Sequence, residues 1–251
     1  MQQLSHLSQE QKVKASKLTG GFGSLSAIRN LKGLTMQHVN EKCDMFVVDL
    51  ETEGVGDSAK ILQIAVVAFD SKEPITARDP ERAAITWNCD ICDLLVQDVH
   101  DAVSEAATLE WWHEPERLSY YNHLKSAEVF HMEHALEVLT EFIKARAADK
   151  FYLVGNGVDF DNRILANAYK RYGLEKPWTY KNDFCYRTVN ALLPLQETVS
   201  EDWIKAVTLE ARQYFPSYDQ DYWQPHNAAY DAMYEALTLN SKLLELGKRY
   251  E

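Results

Sequence analysis

No run of apolar residues approaches the ~20 that cross a bilayer as a helix, and the N-terminus lacks a charged stretch followed by an apolar one. Neither a membrane span nor a signal peptide is expected, no membrane partner is expected, and the expected compartment is cytoplasmic. Cysteine is scarce. Of the four, at 43, 89, 92 and 185, only Cys89 and Cys92 are close. Without a second pair or histidines at ligand spacing, they do not make a structural zinc site. Basic charge is short as well: 26 Lys and Arg face 38 Asp and Glu, a formal net charge of -12. Holding long nucleic acid by general charge attraction needs lysine and arginine to neutralise phosphates, so the composition argues against that mode. Chemistry on phosphate through bound cations is not excluded, because acidic metal ligands contribute negative charge themselves and the ions reverse the local field.

What is present suffices for one large domain. A chain of 251 residues with 46% hydrophobic content buries roughly 70 to 75% of its unfolded surface. Residues 1–42 stand apart, with six basic side chains (Lys12, Lys14, Lys17, Arg29, Lys32, Lys42) against Glu10 and Glu41, which leaves 20 basic and 36 acidic side chains for the remaining 209 residues. The run Thr19-Gly-Gly-Phe-Gly-Ser-Leu-Ser punctuates this segment. The expected organisation is a basic, flexible N-terminal extension over 1–42 and a folded domain over 43–251. The alternative for the extension is an arm that touches substrate or a partner.

Apolar runs predict strands over 46–50, 61–70, 84–91 and 151–155, the first two joined by a turn at Gly54 and Gly56 and so antiparallel. Three- and four-residue spacing predicts helices over 104–113, 132–148, 160–172 and 228–246. Early strands followed by alternating helix and strand predict an α/β sheet with antiparallel and parallel parts. The stretch between Val199 and Trp223 yields no assignment, Asp183 reads as a cap for a short helix near Thr188, and Gln63 reads as a polar core residue.

Three acidic sites carry chemistry. Asp49 and Glu51 alternate with Val48 and Leu50 at the end of the first strand, so both carboxylates leave one face. Like charges that close repel unless a cation lies between them, and oxygen-only ligands suit magnesium or manganese; a solvated strand end is the plain alternative. The second site is Gly155-Asn-Gly-Val-Asp-Phe-Asp-Asn162, passing from strand through glycines into a helix. At about 100° per residue, Asp161 sits amid the apolar face of Phe160, Ile164, Leu165, Ala168 and Tyr172, whereas Asp159 falls opposite and can only cap or meet the helix dipole. The third is His226-Asn-Ala-Ala-Tyr-Asp231 at the entry to the last helix, where Asp231 lies off the apolar stripe.

In this order the set resembles the DEDDh subgroup of 3′-to-5′ exonucleases, the DnaQ-like branch of the RNase H-like superfamily. The tyrosine subgroup is disfavoured, since position 227 is Asn. Leu109-Glu-Trp-Trp112 and the Gly155 to Asn162 motif look most like the phage exonuclease A (DexA) type and the bacterial exoribonucleases typified by RNase AS. The likeness runs from about residue 44 to 246. It implies an RNase H-like mixed sheet of five to six strands with helices on both faces. It also implies a 3′-to-5′ exonuclease acting on single-stranded DNA or RNA with a free 3′ end, through two Mg2+ (or Mn2+) ions. By resemblance Asp49 bridges both ions, Glu51 and Asp231 complete one site, Asp161 supports the other, and His226 is the general base. Trp111 and Trp112 offer a stacking face, or simply core; Thr52 and Asn156 are further candidate substrate contacts. The alternatives are an endonuclease, a proofreading or processing subunit of a larger assembly, and a non-catalytic nucleic-acid binding module. Homodimerisation and the choice between DNA and RNA stay open, since 2′-hydroxyl contacts leave no motif.

Overall fold

A strand covered on both faces needs apolar side chains along its whole length, and two stretches of this chain supply them. In the computed structural model, after the two-residue β1 (Leu34–Thr35), they become β2 (Cys43–Thr52) and β3 (Ile61–Phe69), the latter buried at every position. The structure describes residues 34–35, 42–79, 84–127, 129–195, 199–212 and 221–248. The expected basic extension, apart from β1 and Lys42, lies outside the described residues. β4 (Thr76–Asp79) and β5 (Ala84–Trp87) form a separate antiparallel ribbon, and β6 (Asp90–Gln97) returns to the sheet beside β3. Then come α1 (Ala106–Trp112), α2 (Pro115–Ser126), the short β7 (Phe130–His131), α3 (Met132–Arg146), β8 (Ala147–Gly155) and α4 (Asp161–Arg171). β9 (Asp183–Cys185), α5 (Tyr186–Leu192), α6 (Glu201–Ala211) and α7 (Ala228–Lys248) complete the domain.

The sheet runs β1-β6-β3-β2-β8-β9, with β7 attached to β6. β1, β6, β3 and β2 run antiparallel to one another in that order, whereas β7 pairs in parallel with β6, and β8 and β9 continue in parallel from β2. This is the expected mixed α/β sheet of six main strands with helices on both faces. Alternation sorts the core. Met45, Val47, Ala65 and Val67 join one cluster with Ala228, Ala229, Met233 and Ala236 of α7. Phe46 turns the other way, its ring 6.4 Å from that of Phe142 on α3, and α4 packs on β2 and β8. Asp49 and Glu51 share the parity of Met45 and Val47, so they leave the sheet under α7.

Three sequence expectations need correction. The strand expected over 84–91 breaks at Asn88 and Cys89, and the sheet strand is Asp90–Gln97. Its acids disguise it, yet both find partners: Arg146 Nε donates to Asp90 Oδ2 at 2.8 Å and Gln63 Nε2 to Asp93 Oδ1 at 2.9 Å. Asp183 does not cap α5, which starts after Cys185 without a side-chain cap. Its carboxylate accepts from Asn162 Nδ2 at 2.9 Å. Asp159 does not cap α4 either, since Phe160 holds the cap position and no side-chain cap bond forms there.

Candidate active site

The end of β2 is set by what crosses it. Glu51 lies opposite Gln63 of β3 in register, and Gln63, on that same face, brings α7 into place. Its Oε1 accepts the Ala228 backbone N–H at 3.1 Å and the Tyr120 hydroxyl at 2.5 Å. Asn227 completes the helix start, its Oδ1 accepting from the N–H groups of Ala229 at 2.9 Å and Tyr230 at 3.2 Å, which satisfies donors a helix terminus leaves open. Asp231 follows in the first turn, with Oδ2 accepting the His226 N–H at 2.8 Å. Asp49, Glu51 and Asp231 each offer an oxygen within 4.8 Å of the others. The off-stripe position of Asp231 resolves because the first half of α7 is buried nearly all round, under the sheet on one side and α5 and α6 on the other. A helix with no solvent side has no stripe to test against.

Asp161 arrives from the opposite layer. It opens α4, is 2% exposed, and accepts the Asn156 N–H through Oδ2 at 3.0 Å. The approach requires Gly155: a Cβ there would stand 2.4 Å from Asn162 Oδ1 and 3.1 Å from the Asp161 Cβ. On the far wall Glu105 Oε1 accepts from Gly56 N at 2.8 Å and Val55 N at 3.1 Å. Glu53 locks the same loop to α2, accepting from Tyr121 and Lys125, both at 2.7 Å, and from Ser104. Burial alone would raise the Glu53 carboxyl, but these hydrogen bonds and the Lys60 charge outweigh it and hold it at about 2.

The cluster itself shows the opposite electrostatics. Burial, then the charges of Asp161, Glu51, Asp231 and Glu235, push Asp49 well above the carboxylate range. Burial raises Asp161 to about 7, although N–H groups of Asn156 and Leu50 pull against it, and raises Asp231 to about 6 against the His226 N–H. Glu235, four residues after Asp231, is raised well above its ordinary value by burial and by Asp161 and Asp231. Crowded, oxygen-only donors at that separation fit a hard divalent cation. Folded-state values above the unfolded 3.8 mean that these aspartates favour the fold at low pH and lose that contribution between about pH 4 and 7. Melting of the metal-free protein should therefore fall across the upper part of that window, and saturating Mg2+ should restore it by several degrees at neutral pH. A melting temperature indifferent to Mg2+ at pH 7.5 would contradict this.

Asp49, Glu51, Asp231 and Glu235 line a cleft of about 660 Å³ that also takes in Thr52, Trp111, Trp112, Asn156 and His226, while Asp161 lines a neighbouring cavity of about 520 Å³ that shares Asp49, Val55, Asn156 and Phe160 with it. His226 is exposed and adopts φ 68°, a left-handed conformation that costs a non-glycine residue free energy and clusters at functional sites. Its ring stands perpendicular to Trp111 at 4.9 Å, and Arg117 lies 4.1 Å from the centre of the Trp111 ring. Partial enclosure of the ring against the cleft wall, then the Arg117 charge, lower the His226 pKa and favour the neutral imidazole. Trp112 is 1% exposed, stacks on Tyr121 and donates Nε1 to the Thr52 carbonyl at 2.8 Å. The half-exposed aromatic of the pair is Trp111. Thr52 is buried, its hydroxyl donating to the Gly54 carbonyl at 2.6 Å. Asn156 remains on the cleft wall. Sequence reasoning missed Glu235 and Glu105 and undervalued Gln63. For Glu235 the i, i+4 spacing from Asp231 was the available signal.

Among the described residues no helix is long and apolar enough to cross a membrane. No curated protein matches the sequence. Solved structures are similar at low identity. Cell-death related nuclease 4 (CRN-4) shares 14% identity at TM-score 0.45, with 81% of this chain and 64% of that one covered. E. coli Exonuclease I in complex with an oligonucleotide shares 13% identity at TM-score 0.44, with 80% and 40% covered. The nuclease domain of 3′hExo, a DEDDh family member bound to rAMP, shares 14% at TM-score 0.47, with 82% and 94% covered. The chain thus spans less than two thirds of the first two. Residues 44–242 match the family described as the 3′-5′ exoribonuclease Rv2179c-like domain. With that match running through β2, α4 and the start of α7, the chain belongs to the Rv2179c-like 3′-5′ exoribonuclease domain family, a family of nucleases.

Proposed function

We propose that this protein is a metal-dependent exoribonuclease that removes nucleotides from the free 3′ end of single-stranded RNA. The observation that carries the reading is the convergence of Asp49, Glu51 and Asp231 oxygens within 4.8 Å at the end of β2, with His226 on the same cleft and Asp161 in the adjoining cavity that shares Asp49. The family description supports RNA as the substrate. Asp49, Glu51, Asp161 and Asp231 are the residues that would hold two Mg2+ or Mn2+ ions. Such ions, when bound, supply Lewis-acid stabilisation of the attacking and leaving oxygens. Asp49 would serve both positions, Glu51 and Asp231 one, and Asp161 the other. His226, neutral and at the cleft rim, takes the proton from the attacking water, and the electron pair of the broken P–O bond leaves on the 3′ oxygen of the shortened strand. Trp111 offers the terminal base a stacking surface, while Thr52, Asn156 and the edge of Trp112 shape its seat. The motifs Leu109-Glu-Trp-Trp112 and Gly155 to Asn162 favour the phage exonuclease A and RNase AS type within the subgroup.

His226→Ala should lower turnover by roughly 10² to 10⁴ while leaving metal affinity, measured by calorimetry, near that of the parent. Loss of metal binding in that variant would make His226 a ligand instead. The reading as a whole is tested with matched 5′-labelled RNA and DNA strands, each with a free or a blocked 3′ terminus, under one metal and salt condition. Stepwise shortening of free RNA with blocked RNA resistant is expected. Internal cuts in blocked strands would sink the exonuclease assignment, and equal shortening of DNA would remove the sugar preference.

A further inference from the structure

Glu235 is an acid of this cleft that the pattern of Asp49, Glu51, Asp161, His226 and Asp231 does not contain. It stands one helical turn beyond Asp231, so a single face of α7 presents both carboxylates. Like charges at that spacing repel even in water, and here there is little water: Glu235 is 4% exposed and forms part of the cleft wall beside Asp49 and Asp231. Its Oε2 is buried and meets no hydrogen-bond partner among the described residues. As a carboxylate it leaves a buried acceptor there without a donor, a free energy cost.

The fold satisfies a buried glutamate when that residue is structural. Glu53, 2% exposed, receives Tyr121, Lys125 and Ser104 and an ion pair from Lys60 at 3.3 Å. Among the described residues Glu235 receives less: the Asn156 side chain hydrogen-bonds its carboxyl and the Arg187 charge favours the ionised form, but no donor reaches Oε2. Arg187 gives its Nη2 to the Asn156 carbonyl at 2.7 Å, and Lys242 on α7 donates to the carbonyls of Asn190 and Leu193. Beyond burial, the charge that bears most on Glu235 is that of Asp161, ahead of Asp231.

We propose that Glu235 is a fifth carboxylate of the metal centre, placed to engage the cation on the Asp49 and Asp161 side. That side has one acid fewer than the side formed by Asp49, Glu51 and Asp231, and an open carboxylate oxygen in the cleft wall makes up the difference. This inference rests on the metal-dependent reading above.

The test is Mn2+ titration of the full chain by calorimetry, alongside the rise in melting temperature that Mn2+ produces, for the parent, Glu235→Gln and Asp161→Asn. The parent should bind two ions. Glu235→Gln should bind one with parental affinity and the other at least roughly tenfold more weakly, as Asp161→Asn should, with a smaller Mn2+-induced rise in both. Should Glu235→Gln fail to fold, Glu235→Asp, which withdraws the charge by one methylene, should show the same selective weakening. Two ions at parental affinity in either Glu235 variant would overturn the proposal, as would equal weakening of both. A parent that binds no Mn2+ would instead overturn the metal-dependent reading on which it stands.

Discussion

Asp49→Asn should abolish cleavage while leaving the metal-free protein folded and slightly more stable than the parent. The two halves have one cause. Asp49 lies where the charges of Asp161, Glu51, Asp231 and Glu235 converge, and its carboxyl is pushed well above the ordinary range by burial and by those neighbours. Replacing it with a neutral isostere relieves repulsion in the apo state. The same replacement takes away the one carboxylate shared by both proposed cation positions, and losses of several kcal/mol in transition-state stabilisation follow, each 1.36 kcal/mol being about tenfold in rate. Single-turnover rates under saturating Mg2+, read beside melting curves in chelator, check both halves. A variant that kept more than about a tenth of the parental rate would reject the shared role of Asp49.

Asp161→Ala should likewise reduce cleavage to background, whereas Asp159→Ala should leave turnover within several-fold of the parent. The two residues stand one alternation apart in Val158-Asp-Phe-Asp-Asn162, and their surroundings differ sharply. Asp161 is 2% exposed, held by the Asn156 N–H and wedged against Gly155. Asp159 is exposed. A capping role would have cost Asp159→Ala about 1 kcal/mol of stability, but no side chain caps α4. The expected change is therefore within about 0.5 kcal/mol, the range for surface positions. Cleavage rate and melting temperature for both variants decide it, and the reverse pattern would mean that α4 is turned the other way in its functional state.

How legible was this molecule in its sequence? The inward position of Asp161 followed from α4 being amphipathic, with one solvent side against which a register can be read. The shared face of Asp49 and Glu51 followed from strand alternation and holds in the pairing of β2 with β3. Where a segment had no contrast between faces, the reading thinned. α7 is buried nearly all round in its first half, so the placement of Asp231 could not come from an apolar stripe, and Glu235 was signalled only by its i, i+4 spacing from Asp231. β6 was misplaced because Asp90 and Asp93 look like loop residues until Arg146 and Gln63 are seen to meet them. α2 was missed for a related reason: it mixes Tyr120, Tyr121 and Leu124 with Arg117, Asn122 and Lys125 and shows no clean stripe. Gln63 looked like filler in a strand, yet its contacts with Ala228, Tyr120 and Asp93 tie α7, α2 and β6 to the strand beside the site. Such a role depends on which elements meet across the sheet, and a single sequence does not display that.

The central claim is that the acids gathered at the end of β2 form a divalent metal centre. The most direct measurement is anomalous scattering at the manganese edge from crystals soaked in Mn2+. Two peaks are expected at the end of β2, one bounded by Asp49, Glu51 and Asp231 and the other by Asp49 and Asp161. Cleavage-competent protein whose crystals show no manganese against Asp49 would contradict it.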